Sequence, residues 1–213
     1  GVRERRREHL RPLAGAEWRR AAVEDIFQRY MAVTVFFGLG SGTLFAFMPT
    51  FGESLGVHTL SLFYTAYAGA AIAVRVVGGR LIDTRGRRAV IVPSMFLQAC
   101  ATGILAVVGL VLDRAGTAPV LPMLILTGLM AGASHGFLYP GLAALVADQT
   151  PEARRGVVVG FFSAVFLAGN AGGAFVFGYV THLVGYGSMW GFLSALLLVG
   201  LLLSLRLTDS RAA

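Results

Sequence analysis

His135 lies deep inside a long uncharged apolar stretch, and Tyr139 follows it by four residues. A spacing of four places both side chains on one face of a helix. Imidazole changes its protonation near neutral pH, so this face can bind a proton or a hydrogen-bonding solute. An ionisable group in such a stretch indicates a functional site. The alternative that stays open is a neutral, hydrogen-bonded histidine that only packs.

The residue types that enzymes and metal centres use are otherwise scattered. His9, His58 and His182 are far from His135 in the sequence, and neither an HExxH pattern nor a pair of aspartates occurs within an apolar stretch. The single cysteine, Cys100, lies in an apolar segment and is expected to pack between helices. We therefore expect no enzyme activity, no metal site and no cofactor.

Six apolar stretches must position these side chains, each about 20 residues or longer and so able to cross a hydrocarbon core of ~30 Å as a helix. They are 31–51, 60–79, 89–112, 119–147, 156–180 and 187–205. The chain is 56% hydrophobic and 14% charged, and its 11 carboxylates all lie outside these stretches. Arg75 is the one formal charge inside them, and it either snorkels to the surface or pairs with an acid there. The predicted fold is an all-α membrane protein, a bundle of six transmembrane helices over residues 30–206.

The arginines predict the orientation of this bundle. All 18 basic residues are arginine, and apart from Arg75 and Arg114 they lie before the first stretch, between the second and third, between the fourth and fifth, or after the sixth. The positive-inside rule makes this side cytoplasmic. We therefore expect a multi-pass protein of the cytoplasmic (inner) membrane with both termini in the cytoplasm. The net charge of +7 then needs no nucleic-acid partner.

Small residues and short connections predict how the helices pack. Short connections favour antiparallel packing of helices that are consecutive in the sequence. Glycines at a spacing of four let helix backbones approach closely in lipid. Such glycines are Gly38 and Gly42; Gly128, Gly132 and Gly136; Gly156 and Gly160; and Gly169 and Gly173. Close packing explains this pattern about as well as helices that rock against each other.

A basic segment with one acid joins the second and third stretches. It contains Gly78, Gly79, Arg80, Asp83, Arg85, Gly86, Arg87 and Arg88. Gly86 permits a tight turn, and Asp83 can accept hydrogen bonds from a neighbouring helix N-terminus. The arginines can pair with Asp148 or Glu152, or bind lipid headgroups. The plainer alternative is an ordinary positively charged cytoplasmic loop.

This segment resembles the Gly-x-x-x-Asp-Arg-x-Gly-Arg-Arg motif of the major facilitator superfamily, which joins the second and third helices of a six-helix half. The likeness departs at Thr84, where the family usually has Arg. A second similar element, 148–156, precedes the fifth stretch. The resemblance implies a cytoplasmic gate formed by Gly79, Arg80, Asp83, Arg85, Gly86, Arg87, Arg88, Asp148, Glu152 and Arg155.

The resemblance also implies an organisation into domains. Residues 1–29 are similar to the central cytoplasmic linker of that family, 30–206 to its C-terminal six-helix half, and 207–213 to a cytoplasmic tail. The partner would be the N-terminal six-helix half of the same transporter, and both halves would contact membrane lipid. Segments 79–86 and 178–185 each begin and end with glycine at the same place in a three-helix unit. This pattern is that of an inverted 3+3 helix repeat.

In that family the first and fourth helices of each half line the substrate cavity, which directs attention to their polar and aromatic residues. Those candidates, with others on the second and fifth helices, are Phe37, Ser41, Phe45, Tyr64, Tyr67, His135, Tyr139 and Asn170. Each has a structural alternative. Ser41 can bond its own helix backbone, the aromatic rings can face lipid or fill the core, and Asn170 can bridge two helices.

The function that the resemblance implies is secondary transport of a small molecule by alternating access, with drug or metabolite efflux coupled to H+ favoured. Because no carboxylate lies in mid-membrane, a proton carried by this half would bind His135. Two alternatives stay open. One is an uptake symporter for a sugar or organic acid, and the other is a receptor or assembly subunit of the same fold that transports nothing.

Overall fold

The described part of the chain is almost entirely helical, as the apolar stretches predict. The computed structural model describes residues 30–85, 88–111, 120–148 and 150–205, and only the backbone at 77–85 and 88. Its helices are α1 (Ala32–Ser54), α2 (Ser61–Arg85), α3 (Arg88–Val111), α4 (Val120–Asp148) and α5 (Arg155–Ser204), with a 3-10 turn at Glu152–Arg154.

The longest helix, α5, bends at a single glycine. Gly185 has a φ of 77° and a ψ of 171°, a conformation that is essentially restricted to glycine. The break divides α5 into two arms, which we call α5N (155–184) and α5C (186–204). The gap between the fifth and sixth apolar stretches, 181–186, is therefore too long as a loop, because the chain stays helical up to Gly185 and turns there.

Four helices in the described ranges are long and apolar enough to cross a membrane. They are Ala32–Ser54, Ala89–Val111, Val120–Asp148 and Glu152–Ser204, the last of which contains both arms of α5. The apolar part of α2, Ser61–Val76, is shorter. A multi-pass helical bundle follows, in which the described residues form five helices, the last of them made of two arms that meet at Gly185.

The loop predicted at 80–88 was also too long. α2 continues to Arg85 and α3 begins at Arg88. Gly79, Arg80 and Asp83 therefore lie on the last turns of a helix and not in a loop. At the opposite end of the bundle α1 continues to Ser54, past the predicted end at 51.

α1 ends in a glycine cap. Gly56 has a φ of 71°, its N–H donates to the carbonyl of Glu53, and the N–H of Val57 donates to the carbonyl of Gly52. These two bonds form a Schellman motif, which satisfies carbonyls that the helix end would otherwise leave without donors. The cap reverses the chain toward α2 within a few residues.

Helices pack mainly on partners that are distant in the sequence. α1 packs along α5N, α2 along α4, and α3 between α4 and α5C. The prediction that consecutive helices are neighbours is confirmed for α3 and α4 and is wrong for α1 and α2. In lipid the helices that pack most closely are those whose small residues face each other, and their order along the chain does not decide which helices pair.

Most of the glycines at a spacing of four lie at these crossings. A Cβ atom added to Gly38 would come within 2.6 Å of the Phe166 carbonyl oxygen, and one added to Gly128 within 2.6 Å of that of Phe63. Gly156 and Gly160 are the exception, because an added Cβ would meet nothing within 4 Å. The spacing alone therefore predicted close packing correctly for three of the four sets and wrongly for the fourth.

Candidate functional site

Four helices bring aromatic side chains together around His135. The group, which we call the aromatic cluster, consists of Phe37 and Phe45 on α1, Tyr67 on α2, His135 and Tyr139 on α4, and Phe162 and Phe166 on α5N. α4 and α5N each contribute two rings four residues apart, α1 two rings eight apart and α2 a single ring, so that one face of each helix points to a common centre.

His135 occupies that centre. Its ring centroid lies 5.3 Å from that of Phe37, 5.9 Å from Tyr67 and 6.2 Å from Phe166. Tyr139 lies on the same side of α4 at 6.4 Å, with its ring nearly parallel to the imidazole at 7°. Aromatic pairs at such separations each stabilise by about 0.5–1.5 kcal/mol beyond the area they bury.

The imidazole keeps one nitrogen without a partner. Nδ1 of His135 is buried and forms no hydrogen bond within the described residues. An unpaired buried polar atom costs about 1–3 kcal/mol, and none of the phenylalanine rings around it can supply a partner. A site that keeps such an atom among aromatic faces can accept a proton or a donor group from a small aromatic solute.

The cluster is deepest between α1 and α5N and opens toward α2. Phe37 and Phe162 are fully buried, whereas Phe45 is 43% exposed. The Phe45 ring meets the edge of Tyr67 at a centroid distance of 5.1 Å. Tyr67 therefore lies at the rim, between the buried histidine and the open side of the described bundle.

A cation and a hydroxyl pair add polarity at the edges of the cluster. Arg75, two turns along α2 from Tyr67, is exposed. The hydroxyl of Tyr139 lies 3.4 Å from Oγ of Ser163 on α5N. The site therefore combines aromatic faces with a few separated polar groups, which is the usual composition of a small-molecule site.

Three of the predicted lining residues lie outside the cluster. Ser41 is buried on α1 and accepts a hydrogen bond of 3.5 Å from Nε2 of Gln98 on α3. Asn170 donates to the carbonyl of Phe166 on its own helix, 3.1 Å away, so its bond is local. Among the described rings Tyr64 meets Phe63 at 5.1 Å and does not reach His135. Neither alternative drawn from the sequence matches its residue, because Ser41 bonds to another helix and Asn170 bonds to its own helix.

Sequence reasoning missed Phe162 and Phe166 on α5N and the buried amide of Gln98 on α3. Phe162 and Phe166 are four residues apart, the same spacing that singled out His135 and Tyr139. That signal was present, but attention to the first and fourth helices left α5N with Asn170 alone. Gln98 was visible as a lone amide within an uncharged stretch.

The described part of the predicted gate is its second element. Pro151 precedes the 3-10 turn, and Nε of Arg155 donates to the carbonyl of Ala147 at the end of α4, at 3.2 Å. An arginine at this position also interacts favourably with the negative end of the α4 dipole. Glu152 lies in the turn itself.

The first element of the predicted gate is described less completely. Of the arginines there, Arg80, Arg85 and Arg88 are described by backbone alone, as are Gly79 and Asp83. Gly86 and Arg87 lie outside the described residues, as do the predicted linker 1–29 and the tail 207–213. No group of three or more His, Cys, Asp or Glu side chains within the described ranges is placed to hold a metal ion.

Comparison with known proteins identifies relatives for this arrangement of helices. A family model described as Major Facilitator Superfamily matches residues 30–213. The multi-drug resistance efflux pump PmrA of Streptococcus pneumoniae serotype 4 is 29% identical over 167 residues, which cover 75% of this chain and 39% of PmrA. The quinolone resistance protein NorA of Staphylococcus aureus strain MRSA252 is 25% identical over 161 residues, with the same two coverages of 75% and 39%.

The chain thus spans 39% of the length of these curated relatives. Both are bacterial proteins whose names describe drug efflux or drug resistance. The apolar helices and these relatives together identify a multi-pass membrane protein.

Proposed function

Because the chain belongs to the major facilitator superfamily, we propose that it forms the C-terminal six-helix half of a transporter that expels small aromatic solutes by alternating access. The second half, which completes the cavity, is the N-terminal bundle of the same transporter. α1 to α4 and the two arms of α5 are the six spans of this half. Its location is the cytoplasmic membrane, with the arginine-rich side in the cytoplasm.

The packing supports two related three-helix units. If α1 corresponds to α4, and α2 to α5N, then the pair α1–α5N corresponds to the pair α4–α2, and these are two of the four main helix pairs. Gly185 follows the last helical residue of α5N, as Gly86 follows Arg85 at the end of α2. Such an exchange of partners is what an inverted repeat produces.

The aromatic cluster carries the proposal about cargo. Six rings from four helices cluster around the His135 imidazole, whose buried Nδ1 has no hydrogen-bond partner within the described residues. Flat aromatic solutes stack on such faces, and a donor group on the solute satisfies Nδ1 of His135. The relatives PmrA and NorA, named for drug efflux and quinolone resistance, support a cargo of this kind.

His135 is also the proton site of this half. The carboxylates all lie outside the apolar stretches, which leaves the imidazole as the basic group within them that can take up and release a proton. Proton binding and solute binding at one nitrogen exclude each other, and mutual exclusion at one site is the simplest basis for exchange transport. A proton must bind the two conformations with different affinity to drive them.

The test uses the full-length transporter in proteoliposomes with an imposed pH gradient and a panel of aromatic dyes, sugars and organic acids. In His135→Gln the amide still forms hydrogen bonds but carries no proton. We expect dye counterflow to persist while gradient-driven accumulation is lost. The matched control is His182→Gln, on the exposed end of α5N, which should match the unmodified protein.

The outcomes separate the alternatives. Gradient-driven accumulation that survives in His135→Gln places the proton elsewhere. Counterflow of sugars or organic acids without dye transport favours an uptake symporter. A full-length protein that moves no solute but forms a stable complex with another protein is a receptor or assembly subunit.

The gate segment closes the cytoplasmic side in one conformation. Asp83, at the end of α2, would receive hydrogen bonds or ion pairs from neighbouring helix ends, and the surrounding arginines would pair with Asp148 or Glu152. In Asp83→Asn we expect cysteines placed on the cytoplasmic side of the cavity to react faster with a water-soluble maleimide. The control is Glu53→Gln, near the C-terminal end of α1 and away from the gate. Equal labelling rates in the two variants contradict the gate.

A further inference from the structure

A stripe of polar residues runs along the buried side of α3. Ser94, Gln98 and Thr102 follow one another at a spacing of four, and each is at most 3% exposed. Ser94 donates to the carbonyl of Val90, and Thr102 to those of Gln98 and Ala99, all on α3 itself. These two hydroxyls therefore need nothing from other helices.

Gln98 differs because its amide is satisfied by other helices. Oγ of Ser134 on α4 lies 3.0 Å from Oε1 of Gln98 and 2.8 Å from the carbonyl oxygen of Ser94, so both acceptors on α3 share its one proton. On the other side, Nε2 of Gln98 donates to Oγ of Ser41 on α1 at 3.5 Å. One side chain thus links α1, α3 and α4.

The space for this amide is created by a glycine. A Cβ atom added to Gly40 on α1 would lie 2.7 Å from Nε2 of Gln98. Gly40 therefore lets α1 come close enough for Ser41 to meet the amide. Residues around a buried amide are expected to be arranged in this way, because leaving it unpaired in an apolar interior is costly.

The partners of the amide are close in sequence to residues of the aromatic cluster. Ser134 is the residue before His135, and Ser41 is one turn from both Phe37 and Phe45. A step of one residue turns the side chain by about 100°, so Ser134 faces α3 while His135 faces the cluster. The contacts of Gln98 therefore join the cluster-facing side of α1, through Ser41, to the α3-facing side of α4, through Ser134.

We propose that Gln98 is a positioning residue for the transport site, fixing α1 and α4 so that Phe37 and His135 face each other across 5.3 Å. This inference rests on the proposed function of the cluster as the cargo site. Gln98 acts through Ser41 and Ser134 and does not touch the solute. A site whose supporting residues are loosened by a fraction of an ångström loses affinity before it loses the fold.

The experiment measures transport kinetics of an aromatic dye by the full-length transporter in proteoliposomes. Gln98→Met keeps the length of the side chain and removes its hydrogen bonds to Ser41 and Ser134. We expect KM to rise roughly threefold to tenfold, the range of one hydrogen bond between helices in lipid. The maximal rate should stay within about twofold, because the rocking helices are otherwise unchanged.

Thr102→Val is the matched control. It alters the same buried stripe one turn away, where the hydroxyl bonds only to α3. Its KM should equal that of the unmodified protein. A rise in KM in Thr102→Val equal to that in Gln98→Met would show that any polar loss on α3 has this effect, and the proposal would be wrong.

A second measurement tests the contacts of Gln98 without transport. We expect the losses in melting temperature of purified Gln98→Met and Ser134→Ala to be non-additive. The double variant should be no less stable than the less stable of the two single variants. Additive losses overturn the proposal even if no transported solute is found. Dye transport that depends on His135 but has an unchanged KM in Gln98→Met overturns it and leaves the proposed function standing.

Discussion

The pairs α1–α5N and α2–α4 use glycine in the same way but are held very differently. In each pair a glycine on one helix packs against the backbone carbonyl of an aromatic-cluster residue on the other helix. Gly38 packs against Phe166, and Gly132 packs against Tyr67. α5N also contributes Gly169 and Gly173 to its crossing, whereas Gly69 on α2 has nothing within 4 Å of an added Cβ.

The surroundings of the two pairs differ as well. α1 is also held from its other sides: Gly40 lies against Gln98 and Leu197, and Gly200 of α5C lies against Phe36. α2 packs mainly on α4 and leaves Ile72 63% and Val76 78% exposed. A methyl group added at a glycine of each crossing should therefore have different effects. At α1 it should lower the stability of the protein, and at α2 it should displace the helix.

The largest expected effect is that of Gly42→Ala. The added methyl would overlap the backbone of Asn170 on α5N, and the opposite side of α1, where Gly40 and Leu44 lie, is buried. We expect a loss of about 3 kcal/mol in the free energy of unfolding, the upper part of the usual range for overpacking. Equilibrium unfolding of the purified full-length protein in mixed detergent micelles measures it.

Gly160→Ala is the control for Gly42→Ala, because an added Cβ there meets nothing within 4 Å. It should leave stability unchanged or raise it slightly through the better helix propensity of alanine. Equal losses in the two variants would mean that the α1–α5N contact does not limit stability.

A smaller effect is expected for Phe166→Leu, which tests what α5N contributes to the cluster. The phenyl ring lies 5.0 Å from both Phe37 and Tyr139 and 6.2 Å from His135. Its loss should raise KM for an aromatic dye about tenfold, since such pairs contribute about 0.5–1.5 kcal/mol each.

Phe175→Leu, on the same helix, is the control for Phe166→Leu. Phe175 is 74% exposed, and Tyr179 is its ring partner within the described residues. If KM changes equally in both variants, the α5N side of the aromatic cluster does not bind the solute.

The smallest loss of stability is expected for Gly132→Ala. The methyl would overlap the backbone carbonyl of Tyr67, but α2 can move outward because its other faces are exposed. We expect a loss of about 1 kcal/mol, at the low end of the range for overpacking. Outward movement takes the Tyr67 ring away from His135, so KM for the dye should rise even though the protein stays folded.

Transport and unfolding of Gly132→Ala and Gly42→Ala, measured side by side, decide the comparison. The structure predicts that Gly42→Ala loses more stability, and that Gly132→Ala changes KM more for each unit of stability lost. The reverse order would show that α2 is held as firmly as α1, and that Tyr67 does not form a movable rim.

The sequence determined the helical membrane class, the apolar spans and the central position of His135, because charge and hydropathy are properties of each residue in its own place. It could also supply the faces of single helices, since a spacing of four holds in any helix. This is why Phe37, Phe45, His135 and Tyr139 were identified without knowledge of the packing.

Only the tertiary structure decided which helices meet. It places Ser41 and Asn170 outside the aromatic cluster, brings Phe162 and Phe166 into that cluster, and sets Gln98 against Ser41 and Ser134. A polar residue in an apolar helix looks the same in the sequence whether it faces a cavity, its own backbone or another helix. What such a residue faces depends on which helices cross next to it. A crossing is formed by the surfaces of two helices, so no single stretch of sequence contains it.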